Sequence, residues 1–450
     1  MKITILGAGL VGSLLAVLFK QKGYEVTVYE RRPDMRKEEI SAGRSINFAL
    51  SHRGWKALAL AGLEEEIRKI AIPMPGRFLH QDDGSSAFQA YGKNGEAIYS
   101  VSRGDLNKKL LNAAENIGVQ LVFNHRCIHV DVDQNKITLD TKNGKIQKKC
   151  ELLIGADGAF SSLRTAYSML DRTNFSQHYL KHGYKELHIP PGEGNTWQIE
   201  KHALHIWPRH NYMMIALPNE DGSFTCTLFF PFEGELSFTT VNNDESILQL
   251  FKTHFPDALP LMPQLINDYH KNPTSSLITV KLDPWYYQNK SFVIGDAAHA
   301  IVPFYGQGLN AGFEDITILN ELMEQYSDDW TQILPAYHQA RKEEGDAIAE
   351  LAYKNFIEMR DLVADPIFLK RKKVEKELGR RYPTIFNSVY EMVSFSHVPY
   401  SKALKSTQAQ DALWTKIYEY GGDFFEHLND ENFIKTLDGW MEQYALETRK

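Results

Sequence analysis

Three glycines near the start of the chain, Gly7-Ala-Gly9-Leu-Val-Gly12, could wrap backbone around an anion, and a carboxylate, Glu30, follows 18 residues after Gly12. In such a turn Gly7 permits the tight bend, Gly9 lets a pyrophosphate approach the backbone, and Gly12 lets a helix pack closely on a strand. A helix opening there presents free N–H groups and a positive dipole end to the phosphates. Glu30 would accept hydrogen bonds from an adenosine ribose and repel a ribose 2′-phosphate, so FAD or NAD fits this turn and NADPH does not. A glycine turn alone is a weak sign. A second group separates the two cofactors. Gly295-Asp296 offers a carboxylate suited to a ribityl hydroxyl. Pro303-Phe-Tyr-Gly306-Gln-Gly308-Leu309-Asn310-Ala-Gly312 is dense enough in glycine for backbone to approach a flat ligand. A helix from about Leu309 would aim its positive end at the negative pyrimidine edge of a reduced flavin. On its own that segment reads equally well as an ordinary loop.

These residues require particular elements to carry them. Lys2–Leu6 has the composition of a buried strand, a helical run follows to Gly23 at a helix C′ position, and Glu25-Val-Thr-Val-Tyr-Glu30 is a second strand rich in β-branched residues. Together they make a βαβ unit, which is the context the glycine turn needs. Leu106 to Ile117 is helical in pattern, Val119 to Phe123 and Glu151 to Ile154 are strands, and Gly155-Ala-Asp157-Gly158 ends the latter. Between about 196 and 232, apolar runs separated by turns such as Pro218-Asn-Glu-Asp-Gly222 predict antiparallel strands of another layer. Strand chemistry returns at Ser291-Phe-Val-Ile294, and beyond about 340 the chain is charged and helical, punctuated by Pro366, Pro383 and Pro399. The expected class is α/β. A Rossmann-like FAD-binding domain would be built from 1–70, 101–175 and 285–340, an inserted antiparallel β-sheet substrate domain from 71–100 and 176–284, and a C-terminal helical region from 341–450.

A length of 450 residues, 43% of them hydrophobic and 24% charged, suits two or three globular units. The formal net charge of -7 gives no field to recruit nucleic acid or an anionic membrane. Cys127, Cys150 and Cys226 are far apart and form no CxxC pair, so neither a disulfide framework nor a metal site is expected. Ile3 to Phe19 is uncharged, but its glycines and the lack of a cleavage site after it favour strand, turn and helix over a targeting segment. No other apolar run approaches the ~20 residues of a membrane span. The expectation is a soluble cytoplasmic protein without a membrane anchor.

The set of the Gly7 turn, Ser102-Arg103 before a helix, Gly155-Ala-Asp157-Gly158 and Gly295-Asp296-Ala-Ala-His resembles the group A flavoprotein monooxygenases. Finer strings resemble the branch of that family that hydroxylates kynurenine. They are Gly43-Arg-Ser-Ile-Asn47, Ala49-Leu-Ser-His-Arg-Gly54, His182-Gly-Tyr-Lys-Glu-Leu187, Leu204-His-Ile-Trp-Pro-Arg209, Phe224-Thr-Cys-Thr-Leu-Phe229, the run from Gly295 to Asp315, and Asn355-Phe-Ile-Glu-Met-Arg360. The resemblance extends from residue 1 to about 405.

The resemblance implies bound FAD, NADPH as co-substrate, and transfer of oxygen from O2 through a flavin hydroperoxide, converting L-kynurenine to 3-hydroxy-L-kynurenine in tryptophan degradation or NAD biosynthesis. It implies FAD contacts at Gly7, Gly9, Val11 and Gly12, at Tyr29, Glu30, Arg31 and Arg32, and at Ala49, Arg103, Ile128, Asp157, Ser162, Asp296, Gly308, Leu309 and Asn310. For the substrate it implies Arg77, Tyr91, Asn355 and Tyr400, which by residue type alone read as solvated, core or exposed positions. An α-carboxylate and α-ammonium call for one arginine with hydroxyl and amide partners. The aniline already activates the ring, so the site residues position rather than react. A hydroxylase of another aromatic acid is the rival enzyme. A non-catalytic relative of the fold would need neither Asp296 nor the glycine-rich loop. Relatives ending in an apolar anchor differ from this chain, whose residues 406–450 are polar with scattered aromatics.

Overall fold

A computed structural model describes residues 1–38, 47–92, 95–362 and 365–449. The string Gly43-Arg-Ser-Ile-Asn47 lies outside them except for Asn47.

The first strand, Lys2–Leu6, is central in a six-stranded sheet whose order is Tyr286–Tyr287, Ser291–Val293, Leu152–Gly155, Lys2–Leu6, Glu25–Tyr29 and Gln120–Val122. All neighbours are parallel except the first pair. Register brings the sequence motifs together. Leu6 lies opposite both Tyr29 and Gly155, and Gly155 lies opposite Val293, so these strand ends are level. The glycine turn, Glu30, Ala156-Asp157 and Gly295-Asp296 therefore line one carboxyl edge, where open α/β sheets bind ligands. Leu14, Leu15 and Phe19 of the helix Leu10–Gln21 are buried with Ile3, Ile5, Val28, Leu153 and Phe292 in the core behind that edge.

The second layer is a seven-stranded sheet in the order Ser275–Asp283, Asn174–Ile189, Phe224–Pro231, Tyr212–Pro218, Leu204–Arg209, Gly76–His80 and Ser86–Ala90. It is antiparallel apart from one parallel pair, in which Arg77 stands opposite Leu204. Side chains alternate across a strand. Trp207, Cys226 and Phe230 join a core with Ile247, Phe251 and Phe255. Ile206, Met213 and Phe229 join another with Phe304, Ile348 and Phe356. This second face looks toward the flat-ligand loop and the long helix Trp330–Ile357.

Two of the three prolines beyond 340 mark helix starts, and Pro383 lies in the turn that follows the helix Pro366–Arg381. Pro366 is the first residue of Pro366–Arg381, where its missing N–H costs nothing, and the Asp365 side chain accepts from Phe368 N–H. Pro399 caps Tyr400–Tyr420. The last helices have a core of their own, with Leu378, Phe386, Leu413, Phe433, Leu437 and Met441 buried together. Among the described residues, no helix is long and apolar enough to cross a membrane.

Candidate active site

At the level strand ends the glycine turn has the geometry its sequence asks for. Gly7 has φ +97°, and a Cβ there would lie 2.5 Å from the Ala156 carbonyl oxygen. A Cβ on Gly12 would lie 2.1 Å from the Gly7 oxygen, so helix and strand touch backbone to backbone. Gly9 differs: a Cβ there meets no atom within 4 Å, and the residue lines a cavity at the N-terminus of the helix Leu10–Gln21. Its surroundings form a cradle for a group from outside the chain. Glu30 is buried and accepts from Ala8 N–H (2.9 Å), Arg32 N–H (2.9 Å) and Arg32 Nε (2.8 Å). Burial would raise its carboxyl, but the bonds from Arg32 and Ala8 outweigh that and lower it, so it stays an acceptor. Tyr29 is half-buried beside His125, and Arg31 is exposed.

The cavity, about 260 Å³, runs from Gly9 and Val11 past Ala49, Arg103, Asp296, Gly306, Gly308 and Leu309 toward the second sheet. Asp296 and Arg103 have exposed area, but both face the cavity and are crowded by protein. Desolvation pushes the Asp296 carboxyl up against the pull of His299, Arg103 and Arg164. It pushes the Arg103 guanidinium down, opposed by Asp296. Two groups of opposite charge are thus held in a poorly solvated wall, where a polar ligand gains most from meeting them. Asp157 is similar: Oδ2 accepts from Ser162 N–H at 2.7 Å, whereas Oδ1 is buried without a partner and burial raises the carboxyl.

Behind the loop lies a charged scaffold that the sequence reading did not identify. Buried Asp315 accepts from Gly295 N–H (3.0 Å), His299 Nε2 (2.6 Å) and Arg341 Nε (2.8 Å). Arg341 also pairs with Glu314 (2.9 Å), and Glu314 with Arg53. These contacts hold Gly295, at φ +62°, against Val11, where a Cβ would come within 3.1 Å. The Asn310 amide is fully used by protein, accepting from Ser51 N–H and donating to the carbonyls of Ala49 and Gly306. It fixes the loop, and its side chain does not reach the cavity. The helix Gly308–Gln325 starts at the cavity wall and points its positive end there.

The far end of the cavity has apolar walls, Leu204, Ile206, Ile215, Leu217, Phe229 and Phe304, and a polar corner formed by Arg77, Tyr91, Asn355 and Tyr390. The Arg77 Nε donates to Gln89 Oε1 at 3.2 Å. Asn355 Nδ2 donates to the Phe304 carbonyl at 2.7 Å. The Tyr91 hydroxyl is buried and has no hydrogen bond of ordinary geometry. An unsatisfied buried hydroxyl costs about 1–3 kcal/mol, a cost that a polar ligand in the corner would remove. Tyr390 stacks on Tyr91 (5.2 Å, 18°) and on Tyr305 (5.6 Å, 20°). Burial raises both Tyr91 and Tyr390, while Arg77 pulls both down.

Tyr400 is not in this corner. It is fully buried, its hydroxyl donates to Gln307 Oε1 at 3.0 Å, and Arg53 lies 3.9 Å over its ring. It braces the loop from behind, and Tyr390, ten residues earlier, is the tyrosine of this segment that lines the cavity. Ser388-Val-Tyr-Glu391 is a capping box that starts the helix Val389–Ser394, a signal for the helix but not for the direction of Tyr390. Of the other expected residues, Gly9, Val11, Ala49, Arg103, Asp296, Gly308, Leu309, Arg77, Tyr91 and Asn355 line one cavity. Gly7, Gly12 and Asn310 frame it, and Tyr29 to Arg32 lie at the neighbouring strand end. Ser162 donates from Oγ to the Cys127 carbonyl at 2.9 Å, and Ile128 is 40% exposed on the strand Arg126–Asp131, outside the cavity. The open cradle at Gly9, the carboxylate of Glu30, the orphaned Asp157 oxygen and Asp296 in the wall fit an extended dinucleotide ending in a flat ring, as in FAD.

Residues 1–352 match the family model described as FAD binding domain. A kynurenine 3-monooxygenase of Flavobacterium johnsoniae is 48% identical over 419 residues, covering 93% of this chain and 94% of that one. One of Dictyostelium discoideum is 48% identical over 436 residues, covering 94% of each. In three dimensions the chain is similar to 2-methyl-3-hydroxypyridine-5-carboxylic acid oxygenase, with a TM-score of 0.65 and 21% identity, over 82% of this chain and 95% of that one. At that identity the likeness bears on the fold alone.

Proposed function

The chain belongs to the FAD binding domain family and, within it, to the kynurenine 3-monooxygenases, and from that premise we propose that it hydroxylates L-kynurenine at ring carbon 3 with NADPH and O2. The observation that carries the substrate is the cavity itself, in which apolar walls for an aromatic ring lead to one arginine, two tyrosines and an asparagine. Bound FAD supplies the redox chemistry, taking two electrons from NADPH and activating O2.

The chain's residues bind, orient and exclude water. Arg77 holds the α-carboxylate, with Tyr91 donating its unpartnered hydroxyl to the same group. Asn355, whose Nδ2 is committed to Phe304, offers its carbonyl oxygen to the α-ammonium. Tyr390 closes the corner over Tyr91 and offers its hydroxyl to the same carboxylate. Phe229, Phe304, Ile206 and Ile215 keep the ring dry, which suppresses loss of activated oxygen as peroxide. Glu30 takes the ribose of FAD, the Gly9 cradle its pyrophosphate, Arg103 and Asp296 the part between phosphate and ring, and the backbone from Gly306 to Leu309 the ring edge. NADPH is not held in the Glu30 turn, because a ribose 2′-phosphate would be repelled there.

The test is NADPH oxidation by purified, FAD-loaded protein with and without L-kynurenine, with product analysis. Kynurenine should accelerate NADPH oxidation and 3-hydroxy-L-kynurenine should accumulate in step with it. Acceleration by another aromatic acid, with no response to kynurenine, would transfer the reading to that acid.

A further inference from the structure

A second cavity, about 370 Å³, lies on the outer side of the polar corner. Its walls are Phe88 to Gly92, Glu358 at the end of the long helix, Leu369, Lys372, Lys373, Glu375 and Lys376 of the helix Pro366–Arg381, and Ser388 and Glu391. Three residues line both cavities: Arg77, Tyr91 and Tyr390. We infer that this outer cavity is the antechamber through which a zwitterionic α-amino acid reaches the inner cavity, with the Tyr91–Tyr390 stack as its door and Arg77 as the group that passes the carboxylate inward. This inference rests on the substrate class of the proposed function.

The chemistry of the two spaces differs in the way a passage for such a ligand requires. The inner cavity is apolar apart from its corner, whereas the outer one carries charges of both signs. Lys373 and Lys376 are exposed there, and Lys372 lies deeper, 3.6 Å from Glu358 and 3.1 Å from Glu375. A carboxylate can be drawn in by the exposed lysines and received by Arg77, while Glu358 and Glu375 keep company with the ammonium. Arg77 is built to span the wall. Its Nε bonds Gln89, which lines only the outer cavity, and the residue also faces the inner one. The door rests on a short support: Tyr390 belongs to the six-residue helix Val389–Ser394, whose capping box, Ser388 and Glu391, forms part of the antechamber wall. The two rings are stacked at 18°, so side-chain contact alone closes the door. A ligand among the charges outside is well placed to loosen them.

A blocked passage has a kinetic signature that a damaged binding site lacks. It slows arrival and departure alike and leaves the equilibrium constant alone. Leu369 lines only the outer cavity, so Leu369→Trp fills the antechamber without touching bound substrate. In stopped-flow titrations of the FAD-loaded enzyme, followed by the flavin absorbance, the variant should lower the association and dissociation rate constants for kynurenine together, by about tenfold. Kd and the rate of flavin reduction at saturating kynurenine should stay at the parent's values. Lys373→Glu with Lys376→Glu changes two exposed side chains of the outer cavity. It should slow association at low ionic strength and lose that effect in high salt, where the screening length falls to about 3 Å. Parental association rates in the lysine double variant, or a changed Kd with parental association in Leu369→Trp, would overturn the passage. A parent enzyme that never responds to kynurenine would instead sink the proposed function, so the two failures are distinguishable.

Discussion

Arg77→Met keeps the aliphatic stem of the side chain and removes its charge, which isolates the proposed carboxylate contact. What the fold loses is one bond, from Nε to Gln89 Oε1 at 3.2 Å in a part-buried place, worth about 0.5–1.5 kcal/mol. What the ligand loses is larger. A charge-assisted interaction with a carboxylate contributes about 1.5–3 kcal/mol, and at ~1.4 kcal/mol per decade kynurenine should bind about ten- to hundredfold more weakly. The neighbouring tyrosines do not confuse the result. Arg77 pulls Tyr91 and Tyr390 down, and its removal lets burial raise both further, so they remain neutral hydroxyls before and after. The assay is titration of the oxidised flavin spectrum with kynurenine, alongside the ratio of peroxide to NADPH consumed. The variant should need much more kynurenine to stimulate NADPH oxidation and should release more peroxide, with flavin content unchanged, because Arg77 belongs to the second sheet. A parental Kd together with loss of flavin or a large fall in Tm would mean that Arg77 supports the fold, and the corner would then not be a carboxylate site.

Gly9→Ala should fold normally, since its Cβ enters open space, yet release FAD, whereas Gly12→Ala should lose stability because its Cβ meets the Gly7 oxygen at 2.1 Å; melting with and without added FAD separates the two. Tyr390→Phe should weaken kynurenine binding severalfold, by the ~0.5–1.5 kcal/mol of one neutral hydrogen bond, while Tyr400→Phe should leave Kd alone and lower Tm by stranding Gln307 Oε1; the opposite pattern would restore Tyr400 to the substrate. Stability should fall as pH drops through the window from about 6.5 to about 4, because burial pushes the His205 imidazole down to about 4 and the unfolded chain then binds more protons than the folded one. His205 accepts at Nδ1 from His80 (2.8 Å) and donates at Nε2 to the Glu200 carbonyl (2.8 Å), so a further proton would break the link to His80. The shift corresponds to roughly 3 kcal/mol at most. His205→Gln can make both bonds without titrating, and urea unfolding of that variant should depend less steeply on pH across the window; an unchanged slope would remove His205 as the source.

What could be read from residues alone follows how local each requirement is. The Gly7 to Gly12 turn, Gly23 and the alternation of Glu25 to Glu30 are set by contacts within a few residues, and there the sequence expectation and the structure coincide. The place of Asp296 on the cavity wall was legible because a carboxylate at the end of an apolar strand has few structural reasons to be there. The joining of Arg77 to Leu204 in a parallel pair was not legible, since it depends on two strands more than a hundred residues apart. The Asp315–Arg341–Glu314–Arg53 scaffold was missed for a related reason: each member looks like an ordinary surface charge until the helices Gly308–Gln325, Trp330–Ile357 and His52–Leu60 are brought together. The two tyrosines make the point most sharply. Tyr390 and Tyr400 both follow serine- or proline-marked helix starts in the same stretch, yet Tyr400 ends fully buried whereas Tyr390 is half-buried on a cavity wall. Only the direction in which each helix presents its ring separates them. The helix Val389–Ser394 turns Tyr390 toward Arg77, whereas Tyr400–Tyr420 presents its first residue to Gln307 and Arg53. That direction is a property of tertiary packing, so residue type and spacing could bring a tyrosine from this segment to the site but could not choose which one.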